Sequence, residues 1–135
     1  MRMQDPAAVI EAIIRAANSG DLAGMMAGFA ENAVLALSPA LPGMPNLFQD
    51  REAIRGYLQQ IVSNGFRVEP IEVERSGDEV RWRSVASGGL FGHAGLGRAE
   101  VSSRAIVHGG LIRTIDIQYA AATVRQLEAA LVAQA

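Results

Sequence analysis

The stretch that decides the fold runs from Arg98 to Tyr119, RAEVSSRAIVHGGLIRTIDIQY. Ala99, Val101, Ser103, Ala105 and Val107 fall on one face, and Arg98, Glu100, Ser102, Arg104 and His108 on the other. After Gly109-Gly110, Ile115, Ile117 and Tyr119 oppose Thr114, Asp116 and Gln118. A period of two marks strands with one buried face, and the glycine pair marks a tight hairpin. An apolar face backed by arginines and hydroxyls predicts a sheet covered on one side only.

The same period extends upstream, from Phe66 to Arg75 and from Glu79 to Ser87, with Ser76-Gly77-Asp78 as the turn. Val80, Trp82, Ser84 and Ala86 share a face against Arg81 and Arg83. Between Phe66/Val68 and Ile71/Val73 the phase changes at Pro70, which predicts a bulge on an edge strand. Gly88 to Gly97 reads as a long glycine-rich loop.

Ahead of Phe66 the period becomes helical. Asp5-Pro6 caps a helix carrying Val9, Ile10, Ile13, Ile14 and Ala17, which Asn18-Ser19-Gly20 stops. Asp21 caps a short second helix with Leu22, Met25, Met26 and Phe29, and Ala33 to Leu37 reads as a buried strand. Ser38 to Gln49, with three prolines, reads as a loop. Asp50 caps a third helix with the stripe Ile54, Tyr57, Leu58 and Ile61. A last helix is expected from Thr123, with Gln126 placed for a capping box. Helices first and a meander after them predict an α+β fold: one domain over residues 1–135, with a curved antiparallel sheet around N-terminal helices and a short C-terminal helix.

Composition narrows the function. The 135 residues carry a formal charge of −2, and all 12 positive side chains are arginines with no basic cluster, which argues against a nucleic-acid partner. No cysteine is present, so disulfides and thiolate metal sites are excluded. No apolar leader or spanning segment is seen, and Pro39, Pro42 and Pro45 interrupt the longest uncharged run. A soluble, cytoplasmic protein with no membrane partner is expected. Half of the residues are hydrophobic, more than a small core needs, so some should line a pocket or a subunit interface.

Four local features resemble the SnoaL-like group of the nuclear-transport-factor-2-like superfamily. They are Asn18-Ser19-Gly20-Asp21, Phe29-Ala30-Glu31-Asn32-Ala33-Val34, Asp50-Arg51-Glu52-Ala53-Ile54-Arg55-Gly56-Tyr57, and the hairpin His108-Gly109-Gly110-Leu111-Ile112. The resemblance implies a cone, the cystatin-like roll, with a deep apolar pocket and often homodimers through the outer sheet face. Ketosteroid isomerase, polyketide cyclases, scytalone dehydratase and limonene epoxide hydrolase share that fold, so membership does not settle chemistry.

Transferring the family's site residues leaves little standing. Leu35 and Leu37 occupy the positions of the Tyr and Asn that hold water in the epoxide-hydrolase-like members, and no acid lies between Ala33 and Leu37 for an isomerase-like base. Arg83 matches that family's Arg, but Val85 and Ile117 stand at its two Asp positions. The remaining catalytic candidates are Asp116, Tyr119 and His93. Asp116 is either a pocket acid/base, as in cyclase-like members, or an outward residue pairing with Arg83 or Arg104. Tyr119 is a pocket hydroxyl or an amphipathic core residue, and His93 a proton carrier on the glycine loop. The candidate ligand lining is Met25, Phe29, Leu35, Leu37, Met44, Phe48, Tyr57, Trp82 and Phe91. Two distant histidines give no metal spacing, and neither metal nor cofactor is expected.

Two functions compete on these grounds. One is a pocket for a hydrophobic small molecule of polyketide, terpenoid or steroid-like kind, with acid–base isomerase, cyclase or dehydratase chemistry as its catalytic form. The other is a non-catalytic dimerisation or protein-interaction module whose cone is filled by its own side chains.

Overall fold

The computed structural model describes residues 5–38, 46–63, 65–88 and 99–133, and in the last helix the side chains other than those of 127 and 130–133. In chain order the elements are α1 (Pro6–Asn18), α2 (Leu22–Met26), β1 (Phe29–Ser38), β2 (Leu47–Gln49), α3 (Arg51–Ser63), β3 (Arg67–Ser76), β4 (Glu79–Ser87), β5 (Ala99–His108), β6 (Leu111–Tyr119) and α4 (Ala121–Ala133).

The helix starts follow from capping chemistry. The Asp5 carboxylate accepts from the Ala7 N–H at 3.0 Å, and Asp21 accepts from the Gly24 N–H at 2.9 Å. Asp50 accepts from the Ala53 N–H at 3.0 Å while its own N–H donates to the Ala33 carbonyl at 2.9 Å. It does both from the left-handed region, with φ at 73°, so one strained residue fastens α3 to β1. Arg51 Nη2 donates to the Met26 carbonyl at 2.9 Å and ties the start of α3 to the end of α2.

The six strands form one curved sheet in the order β2-β1-β6-β5-β4-β3. Five strand pairs make it up, and four are antiparallel. The fifth, β1 with β6, is parallel, a departure from the expected all-antiparallel sheet. A parallel pair needs a long crossover, and here everything from β2 to β5 lies between the two strands. The expected bulge is present: Pro70 faces Ser84 and Glu72 faces Arg83, leaving Ile71 as the extra residue. Ile71 is therefore half exposed at 52%, not an inner-face residue.

Three other boundaries differ from the sequence reading. Phe29 opens β1 instead of closing α2, because α2 ends at Met26 and Ala27-Gly28 forms a turn. Leu47–Gln49 is a short edge strand on β1 within the expected loop. Helix α4 begins two residues before Thr123, which is itself buried.

The core lies between the helices and the inner sheet face. Val9, Ile10, Ile14, Met25, Met26, Ile54 and Leu58 meet Leu35, Val80, Trp82, Ala105, Val107 and Ile112 there. A smaller cluster of Ala86, Ala99, Val101 and Val124 joins α4 to the sheet, with Phe66, Ile117 and Tyr119 packed against it. One polar tie crosses between layers. Asn18 Nδ2 donates to the Val68 carbonyl and Asn18 Oδ1 accepts from the Val68 N–H, both at 2.8 Å. The Asn18 amide thus takes the place of a missing neighbour strand on the free edge of β3. No helix among the described residues is long and apolar enough to cross a membrane.

Candidate functional site

Between the helices and the inner face lies a cavity of about 120 Å³. Helix α1 supplies Ile13, Ile14 and Ala17, α2 Met25, and α3 Tyr57, Leu58 and Ile61. The sheet supplies Phe29 and Leu35 from β1, Trp82, Ser84 and Ala86 from β4, Val101 and Ser103 from β5, and Ile115, Ile117 and Tyr119 from β6. Phe66 and Val68 complete the wall.

Among the described residues the lining contains no charged side chain, and its polar groups are the hydroxyls of Tyr57, Tyr119, Ser84 and Ser103. The two tyrosines come from sequence-distant elements and both line the cavity, close enough for Tyr119 to act on the Tyr57 phenol. Burial pushes the Tyr57 phenol well above its ordinary range, and the neighbouring Tyr119 adds to the shift. Burial also raises Tyr119, and the neighbouring Tyr57 opposes part of that rise. Phe48 backs this pair, its ring centroid 4.8 Å from that of Tyr57.

The sequence candidates divide into four groups. Met25, Phe29, Leu35, Tyr57, Trp82 and Tyr119 line the cavity. Leu37 is buried in the core and Phe48 stands behind Tyr57, and neither forms part of the wall. Met44, Phe91 and His93 lie outside the described residues. Asp116 is corrected: it is exposed on the opposite face, because Ile115 and Ile117 on either side of it point inward. A carboxylate there cannot serve as an acid or base in the cup.

Sequence reading passed over Ser84 and Ser103 as site residues, though their place on the inner face was legible from the alternation. It also took Asn18 for a helix stop only, since a bond to a strand 50 residues away leaves no local signal.

The outer face has its own chemistry. A shallow groove of about 510 Å³ is lined by Glu72, Glu74, Arg81, Arg83, Arg104 and Asp116, with Ser38, Ser102 and Gln118 between them. Arg81 and Arg104 face each other across β4 and β5, a repulsive register relieved by Glu79, which pairs with both. The hydrogen bond from Arg104, helped by Arg81, holds the Glu79 carboxyl below the usual range. Arg83 bridges Glu72 at 3.3 Å and Glu100 at 3.1 Å. Among the described residues no three His, Asp or Glu side chains gather as a metal would require.

The SnoaL-like domain family matches residues 10–114, and the chain belongs to that family. No curated protein matches it. Among solved structures, a putative polyketide cyclase from Sinorhizobium meliloti is similar at 19% identity, covering 85% of this chain and 100% of that one, with a TM-score of 0.68. SalBIII, an epoxide hydrolase/cyclase-like enzyme of pyran ring formation in the polyether salinomycin, is 18% identical over 87% of this chain and 92% of its own, with a TM-score of 0.72. A cystatin-like-fold protein of unknown function from Methylobium petroleophilum is 20% identical over 89% and 80%, also with a TM-score of 0.72. At these identities the likeness is one of fold.

Proposed function

We propose that this SnoaL-like protein binds a hydrophobic small molecule in the cup beneath its sheet. The observation that carries the reading is a cavity walled by apolar side chains, with the two buried tyrosines Tyr57 and Tyr119 as its distinctive polar feature. Apolar area supplies affinity and a few placed hydroxyls supply orientation, which is how small-molecule sites are built. Acid–base chemistry of the isomerase, cyclase or dehydratase kind would take its proton donor from a phenol of the lining, Tyr57 or Tyr119. A hydrogen bond to a developing oxyanion is strong in such a dry setting. Asp116→Asn is expected to leave binding and any turnover unchanged, because that carboxylate is on the other side of the sheet.

Trp82 is the single tryptophan and lines the cavity, so it reports occupancy directly. Titration with cyclohexane or xenon should shift its emission and its indole NMR signal with saturation. An unmoved Trp82 would overturn the reading.

The second reading, an interaction module, is favoured by the small cavity and by the outer groove. Three arginines face three carboxylates there, a balance that lets the face pair with a second copy of itself. We propose this face as the homodimer surface of a cytoplasmic protein. Sedimentation showing a monomer at high concentration would remove it.

A further inference from the structure

We infer that Ser84 and Ser103 are the polar anchor of the cup, and that its ligand is a small apolar molecule bearing an oxygen group, hydroxyl or carbonyl, seated on that pair. The inference rests on the ligand-binding reading above and adds to it the place and kind of the ligand's polar atom.

The two serines interrupt an apolar pattern. The inner face of β4 runs Val80, Trp82, Ser84, Ala86, and that of β5 runs Ala99, Val101, Ser103, Ala105, Val107. Ser84 is 2% exposed and Ser103 9%, and both line the cavity. Neither hydroxyl has a hydrogen-bond partner among the described residues. No sealed polar side-chain atom among those residues goes without one, so the two serine oxygens are not sealed in the packing: they open on the cavity. A hydroxyl held away from water with no bond costs free energy that an alanine methyl does not. Packing alone would be served by alanine, as it is nearby at Ala86, Ala99 and Ala105. The unpartnered hydroxyls are explained by a molecule that enters the cavity and bonds to them.

Their placement gives the kind of group. Trp82 lies opposite Ser103 and Ser84 opposite Val101, so the serines are diagonal neighbours on one face. Diagonal residues are roughly 7–8 Å apart and their side chains closer. One ligand oxygen with a bond of about 2.8 Å to each hydroxyl spans that gap. A serine hydroxyl both donates and accepts. A carbonyl oxygen therefore takes a proton from each serine, and an alcohol accepts from one and donates to the other. A hydrocarbon leaves both without a partner. The apolar part of the ligand then lies against Trp82, Val101, Ile115 and Ile117.

The test is a Trp82 fluorescence titration of the full chain with cyclohexanol and with cyclohexane. These one-ring probes suit a cavity of about 120 Å³, given that about 150 Å³ holds benzene. Both should saturate. In Ser84→Ala and in Ser103→Ala the affinity for cyclohexanol should fall about fivefold, and in the double variant at least tenfold, while that for cyclohexane holds or rises. The melting temperature of the ligand-free variants should hold or rise, because the hydroxyls have no protein partner to lose. Unchanged cyclohexanol affinity in both variants would leave water as the serines' partner and overturn the inference, whatever the melting temperatures. A second measurement needs no variant: nuclear Overhauser contacts from the carbinol proton of bound cyclohexanol should reach the β-protons of Ser84 and Ser103. Contacts confined to other lining residues would also overturn it. If cyclohexane fails to bind as well, the ligand-binding reading itself fails, an outcome distinct from binding without the serine anchor.

Discussion

The sequence contains two tyrosines, Tyr57 and Tyr119, and both stand in the cup. An alkaline titration therefore reads the site with no background from tyrosines elsewhere. An unfolded chain carries about one phenolate of its two at pH 10, where an ordinary tyrosine is half ionised. Both native phenols are shifted upward by burial, so the folded protein should carry well under one. The raised folded values fix the sign of the linkage. Stability from these groups is fully present below about pH 10 and is lost as pH rises through the folded values. With both phenols still protonated in the fold, one extra proton is held at pH 10, a slope of about 1.4 kcal/mol per pH unit. Phenolate absorbance of the native protein and of a urea-unfolded control gives the counts, and urea melts between pH 8 and pH 11 give the slope. The variants should move in opposite directions. Tyr57→Phe removes the neighbour that lowers Tyr119 and so raises the remaining phenol. Tyr119→Phe removes two causes that raise Tyr57 and so lowers it. A native chain that carries one phenolate at pH 10 with its far-ultraviolet dichroism intact would refute the buried, coupled pair.

Three further outcomes are expected. Asn18→Leu removes both partners of the Val68 backbone groups and should cost about 2 kcal/mol in a urea melt, with faster amide exchange at Val68. Gly88→Ala should destabilise more than Gly77→Ala, though both glycines have positive φ. The added methyl would sit 2.2 Å from the Gly65 carbonyl oxygen in the first case and meet nothing within 4 Å in the second. Differential melting of the two variants checks this, with about 1 kcal/mol expected for Gly77→Ala from backbone strain alone. Glu79→Gln leaves Arg81 and Arg104 facing each other with no carboxylate between them, so its melting temperature should fall most at low salt. Because the Glu79 pKa is lowered in the fold, its contribution is present above about pH 4.5 and fades as pH falls through the folded value. The variant should lack that part of the acid response.

Much of the sheet was legible from side-chain alternation, since one-sided burial leaves a period of two in β4, β5 and β6. The caps Asp5, Asp21 and Asp50 were equally plain, because each is a local arrangement of a carboxylate and the N–H groups of the next turn. Ala33 to Leu37 was seen as a strand, but its parallel partner was not. Nothing near residue 35 records that residue 115 lies opposite it. The phase of β6 left Asp116 with two readings, because a carboxylate between isoleucines is compatible with either face. Only the register, with Arg104 beside it on the outer face, fixes the side. Tyr57 and Tyr119 each announced an amphipathic ring, whereas their meeting depends on how α3 settles across the sheet. Pair geometry between distant elements is what a single sequence does not print.

The parallel seam between β1 and β6 carries a consequence for the order of assembly. Strands β3 to β6 are linked by neighbour-to-neighbour pairings and can form from the later half of the chain alone. Helices α1 and α2 and strand β1 leave the ribosome well before β6, and Phe29 finds its partner Ile112 only after some eighty further residues are made. Strand β1 can pair with β2 early, but its β6 edge must wait open, a window in which a chaperone would find it. The cup is walled from both halves, so it cannot exist before that seam closes. Occupancy sensed at Trp82 would then time the last long-range step of folding as well as the binding of a ligand.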